Sequence, residues 1–292
     1  MGWRAVLVGI PLLVFAAVFG VTYASYARGS QAAEPTGRIA FNTRDTLWLM
    51  DAGGSNRELL DRSPQGFAYA PTWSPDGKEI AFVRSIGQVN GIFVINLETT
   101  EERQISPDGV APEWSPDGSR IAFVDPRGLA LMNPDGTGVT SLGVRGDCPT
   151  WSPDGGQIAY CSVQGELSEE DDLYVMSADG SRRRQLTRDP GIEDPVAWSP
   201  DGERIAFFSR RTTGGDTYLI DVDGGDVVQL TSEPGAQVAN AWLPDGRIVM
   251  ASFAPGDRLA LADWYLVDPD GGERTPLPEL DEALDPIAWL PQ

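Results

Sequence analysis

The sequence predicts an all-β fold, a six-bladed β-propeller with four antiparallel strands in each blade. Three observations lead there. Six tryptophans (Trp73, Trp114, Trp151, Trp198, Trp242 and Trp289) recur at spacings of 41, 37, 47, 44 and 47 residues, and a four-stranded blade takes about 40–50 residues. Five of them run straight into a turn, Ser-Pro-Asp-Gly four times and Leu-Pro-Asp-Gly at 243–246. The ends are complementary: "TGRIAFN" (36–42) opens on a second strand, and "DPIAWLPQ" (285–292) supplies a Trp strand and stops before its turn. Joined, they complete a first blade and remove two sheet edges at once.

In chain order, residues 1–28 stand apart. Arg4 and Arg28 bracket an uncharged run of 23 residues, 5–27, long enough to cross a bilayer, for which about 20 suffice. Two readings stay open. A signal anchor would hold the N-terminus inside and the propeller outside the cell membrane. A signal peptide, cleaved after Ser25-Tyr26-Ala27, would release the rest as a secreted or periplasmic protein. The small and polar residues 29–36 read as a tether.

Residues 37–292 are then the propeller, its blades spanning about 37–62 plus 285–292, 69–106, 110–143, 147–187, 193–231 and 237–278. In each unit a short strand reaches Trp, and proline, aspartate and glycine shape the turn after it. "IAF" follows, apolar at every position as a strand covered on both faces requires. A loop of variable length leads to a third apolar strand such as "LYVMS" (173–177). A second Asp-Gly hairpin and a polar outer strand such as "RRRQLT" (182–187) close the unit.

The pattern "WSPDGxxIAF" followed by "LYVMxxDGxxxxQLT" resembles the repeat of TolB-type β-propellers, a WD-like family with six blades. The resemblance covers residues 37–292 and implies a cell-envelope propeller. TolB itself has an α/β domain ahead of the propeller, where this sequence has the apolar run and tether.

Charge and composition exclude several functions. With 43 acidic residues against 22 basic ones the net charge is −21, which repels nucleic acid. There is no histidine, so neither a Ser-His-Asp triad nor an imidazole metal site can be built. The four repeated serines read as turn residues, because what recurs in every blade serves the blade.

Candidate binding residues lie where the units differ. Four residues before each tryptophan stand Tyr69, Val110, Asp147, Asp194, Val238 and Asp285, with Glu193 beside Asp194. Strand alternation puts them on one face of the innermost strand near the channel entrance. There they form either an acidic ring for a cation or amine, or merely solvated carboxylates. The variable loops add the acidic run Glu169, Glu170, Asp171 and Asp172, then Arg210 and Arg211, which either meet a partner or pair and stay solvated, and Trp264, a partner anchor if exposed and otherwise a buried third-strand residue. "DVDGGD" (221–226) and "DPDGGE" (268–273) have the acidic spacing of calcium loops, but Asp-Gly is equally the ordinary hairpin choice. Cys148 and Cys161 would face each other in a disulfide if the turn centres on Asp154-Gly155, whereas a bulge would shift the register by one.

The function expected is non-catalytic: a monomeric scaffold binding a protein or small ligand at its variable-loop face, membrane-attached through 5–27 and needing no cofactor. Two alternatives are a glycan-active enzyme using carboxylates in the central funnel, and a propeller subunit working with a separate peptidase chain.

Overall fold

The computed structural model describes residues 37–43, 46–61, 66–87, 89–162, 172–188, 193–212, 214–255, 262–272, 274–277 and 284–290, with backbone alone at 193–196 and 284–290. The expected anchor and tether, residues 1–36, lie outside the described residues, as do Glu169, Glu170 and Asp171. Among the described residues there is no helix, and hence none long and apolar enough to cross a membrane.

The strands form six four-stranded antiparallel sheets. Blade two comprises β4 (Phe67–Trp73), β5 (Glu79–Ile86), β6 (Val89–Asn96) and β7 (Glu102–Ser106). Blade three is β8 (Val110–Trp114), β9 (Ile121–Asp125), β10 (Gly128–Met132) and β11 (Thr140–Ser141). Blade four is β12 (Gly146–Trp151), β13 (Gln157–Ser162), β14 (Asp172–Ser177) and β15 (Arg184–Gln185). Blade five is β16 (Glu193–Trp198), β17 (Arg204–Ser209), β18 (Asp216–Asp221) and β19 (Val228–Gln229). Blade six is β20 (Ala236–Trp242), β21 (Ile248–Phe253), β22 (Asp263–Val267) and β23 (Thr275–Pro276).

Blade one joins the two ends of the chain. Its order is β24 (Leu284–Leu290), β1 (Arg38–Thr43), β2 (Thr46–Asp51) and β3 (Glu58–Leu59). Ile39 lies opposite Trp289 on one side and Met50 on the other. The innermost strands touch in succession, β24 on β4, β8, β12, β16 and β20, and β20 returns to β24. The ring is closed.

The core sits between the blades. Trp73 packs on Ala40, Leu47 and Leu49 of blade one, and Trp198 on Ala159, Leu173 and Val175 of blade four. Each described tryptophan of the repeat thus fills the gap to the blade before it, so "IAF" is apolar throughout because both faces of every sheet are covered. The indoles of Trp151 and Trp198 also donate backward, to the carbonyls of Glu113 (3.2 Å) and Thr150 (3.1 Å). Those of Trp114 and Trp242 are buried with no acceptor among the described residues.

The repeated turn consumes its polar groups. Ser74 Oγ donates to Asp76 Oδ1 (2.7 Å) and accepts from the Glu79 amide (2.9 Å), while Asp76 Oδ1 also accepts from the Lys78 amide. The same bonds recur around Ser115, Ser152 and Ser199. Hydrogen bonding from Ser115 and Ser152 holds Asp117 and Asp154 below the usual carboxylate range. Gly77 takes a left-handed φ of 69°, which a glycine adopts at little cost. These serines are scaffold.

One local feature departs from simple hairpins. The innermost strands are bulged, with register shifts between Tyr69 and Thr72, Val110 and Glu113, and Asp147 and Thr150. At each, a left-handed residue (Ala70, Ala111, Cys148) precedes a proline that cannot donate to the ladder. In blade four this sets Asp147, not Cys148, opposite Cys161. The anticipated disulfide is therefore not formed: Cys148 and Cys161 are both buried and unbridged.

Candidate functional site

Five of the six inner strands end at their tryptophan and turn back through the Pro-Asp-Gly hairpin, so those hairpins share one face of the ring, the turn face. The opposite face carries the start of each inner strand and the loops between second and third strands. On this loop face Tyr69, Val110, Asp147, Asp194 and Val238 hold equivalent register positions, opposite Val83, Val124, Cys161, Phe208 and Ala251. Blade one breaks the series. There Leu284 lies opposite Asn42, and Asp285 falls in the bulge that follows. The expected six-membered alignment is five-membered, because this bulge begins one residue earlier relative to its tryptophan.

Asp147 is the carboxylate of this level whose side chain is described; those of Glu193, Asp194 and Asp285 lie outside the described residues. Its Oδ1 accepts from the Cys148 amide at 2.8 Å. Crowding by protein atoms strips hydration from the carboxyl and raises its pKa, and the amide bond opposes this only in part. Tyr69 lies within electrostatic reach of it. Burial, then the charge of Asp147, pushes the Tyr69 hydroxyl up to about 12, so at neutral pH it remains a hydrogen-bond donor.

Deeper in the ring is a residue the sequence reading passed over. Glu113, immediately before Trp114, is 2% exposed and accepts from Thr72 Oγ1 at 3.0 Å. Burial pushes its carboxyl up to about 8, with the Thr72 bond opposing, so it is a neutral acid at pH 7. Its signal was present in the repeat: Thr72, Thr150, Ala197 and Ala241 occupy the same place in other units, and a lone carboxyl among them marks a departure. A second omission is Arg84, 4% exposed at the loop face, which pairs with Asp61 of blade one (2.7 Å) and Glu102 (2.5 Å). This ties blades one and two together.

The rim residues divide. Asp172 accepts from Gln185 Nε2 at 2.6 Å, and Asp216 repeats the bond with Gln229 in blade five (3.2 Å). The recurrence marks this bond as a fastening of the outer strand. Arg211 lies over Tyr218 (4.6 Å) and Phe207 (5.6 Å), its Nε donating to Ser209 Oγ (3.0 Å). Arg210 is exposed, 5.9 Å over Phe208. Trp264 requires correction. It is 2% exposed in the core between blades six and one, beside Phe41 and Met50, since β22 presents that face to blade one. It cannot anchor a partner.

The acidic hairpins 221–226 and 268–272 close as ordinary turns, Gly224 donating to the Asp221 carbonyl and Gly271 to that of Asp268. Among the described residues no three Asp, Glu or Cys side chains converge as metal ligands. A cavity of about 360 Å³ on blade two is lined by Glu79, Asn96, Thr99, Glu101, Glu102 and Arg103. Its Arg103 is already paired with Glu79 at 2.7 Å.

Comparison with known proteins agrees with this architecture. Residues 166–284 match the family described as the Tricorn protease N-terminal beta propeller domain. TolB from Acinetobacter baumannii superposes with a TM-score of 0.69 at 21% identity, over 89% of this chain and 68% of that one. A putative TolB from Agrobacterium tumefaciens gives 0.67 at 21% identity, over 89% of this chain and 100% of the other. A chain of a nidogen/laminin complex gives 0.65 at 13% identity, over 86% and 97%. The fold is that of the TolB-type six-bladed propeller.

Proposed function

We propose that this propeller is a non-catalytic scaffold of the cell envelope, tethered to the membrane through residues 5–27 and binding a protein or ligand at its loop face. One observation carries the reading. The chain comes into the ring at Arg38, the first residue of β1, which lies at the turn face opposite Leu290. Eight tether residues reach at most about 29 Å, so an anchored chain holds its uniform turn face toward the bilayer and its irregular loop face outward. The likeness to a nidogen/laminin complex, a protein–protein assembly, supports a protein as the ligand.

A non-catalytic role accords with the chemistry at the channel. Glu113 holds its proton at neutral pH, as a general acid must, but is sealed from any substrate at 2% exposure. The test is external protease on intact cells making the full chain. Release of the propeller from the membrane fraction is expected; a product protected until lysis would contradict the reading.

A further inference from the structure

We propose that the loop face carries a docking surface running from the β5–β6 hairpin of blade two to the channel mouth, and that it receives an extended protein segment with a lysine or arginine beside a large apolar side chain. The proposal deepens the scaffold reading and rests on it. Five large apolar side chains are exposed among the described residues, and three belong to this place: Phe67 (40%), Ile86 (45%) and Val89 (59%). Ile86 and Val89 are cross-strand partners at the hairpin end, and Phe67 pairs with Ser85 one residue away. Gly66 brings the strands together. A Cβ there would stand 2.0 Å from the Ser85 carbonyl oxygen and 3.1 Å from Ile86 Cγ1, and its φ is +83°.

The hairpin also projects. β5 and β6 are eight residues each, against five or six for the second and third strands of the other blades. Two further residues extend the strands about 7 Å beyond their neighbours. Phe67, opposite Ser85, lies on one face of the sheet and the Ile86–Val89 pair on the other, so the apolar side chains wrap the end of the hairpin. Exposed apolar side chains gathered on a projecting element are a usual mark of a contact surface.

On its own face Phe67 leads from the hairpin to the channel by stacking on Tyr69 at 5.6 Å. The Tyr69 hydroxyl makes no hydrogen bond among the described residues, and Asp147 accepts one, from a backbone amide. No lysine or arginine pairs with Asp147 among them. Among the described residues this partly desolvated carboxyl has no countercharge, so a cation from outside would stabilise its ionised form. The net charge of −21 draws cationic partners and sets two copies of this chain against each other. Apolar anchors and a carboxylate therefore select a basic, apolar segment.

The test uses the full chain in detergent micelles on an array of synthetic 12-residue peptides. Lys or Arg beside Leu, Ile, Phe or Trp is set against Glu and Ser replacements at the same positions. Wild type is expected to retain the basic-apolar peptides, and F67S/V89S, with an unshifted melting transition, to lose about tenfold in affinity. D147N should keep apolar peptides but lose the preference for the cation. Equal retention by F67S/V89S overturns the docking surface and leaves the scaffold reading standing. Retention of acidic peptides, or a dimer abolished by V89S, also overturns it. Retention of no peptide counts against both.

Discussion

Glu113 makes the clearest prediction at the level of single residues. In the unfolded chain its carboxyl ionises near 4.5, whereas the folded protein keeps the proton until about pH 8. Between these values the native state binds more protons than the unfolded one, so stability falls as pH rises. The loss approaches about 5 kcal/mol across that window, from 1.36 kcal/mol per pH unit; Asp147, also raised, adds in the same direction. Denaturant titrations at pH 5 and pH 8 should show the fall, and Glu113→Gln should flatten it and be the more stable protein at pH 8. The tryptophans offer a second test. Trp198 donates to the Thr150 carbonyl and Trp242 finds no acceptor among the described residues. Trp198→Phe should therefore cost about 1 kcal/mol more than Trp242→Phe in urea unfolding, the net worth of a buried hydrogen bond. The position of Trp198 was legible from its spacing; its acceptor was not, because that carbonyl belongs to the previous blade.

Among the elements, the hairpins were readable and the bulges were not. Ser-Pro-Asp-Gly names its own turn, since the serine and aspartate bond to local backbone amides and need no tertiary partner. The bulges sit at Ala70-Pro71, Ala111-Pro112 and Cys148-Pro149, and one extra residue moves every later pairing. The displacement at Cys148-Pro149 removed the disulfide, and the earlier-starting bulge of β24 took Asp285 out of line with Asp147. Reducing agent should accordingly leave the melting transition unchanged, and non-reducing mass spectrometry should find both thiols unlinked; a mass two hydrogens lower would put Cys148 opposite Cys161 after all. The exposed hairpin of blade two was also hidden in the sequence. Nothing in the repeat marks its apolar residues as exposed, and only the length of β5 and β6 relative to the other blades brings Ile86 and Val89 into solvent. Trp264 errs in the opposite sense: its loop looked unusual, yet the residue belongs to β22 and the core.

For the molecule as a whole, closure of the ring gives the other features their places. It pairs β24 with β1, fills the gap between blades six and one with Phe41, Met50, Val249 and Trp264, and separates a uniform turn face from an irregular loop face. This level was the most legible of all, because complementary chain ends and a regular tryptophan period are properties of the entire sequence that no local uncertainty disturbs. Hydrogen exchange at residues 38–42, compared between the full chain and one ending at residue 283, tests the closure directly. In the full chain these amides lie in a strand flanked on both sides and should be strongly protected; in the shortened chain β1 becomes an edge, and protection should collapse with a lowered melting transition. Equal protection and an unchanged transition in both would contradict the closed ring.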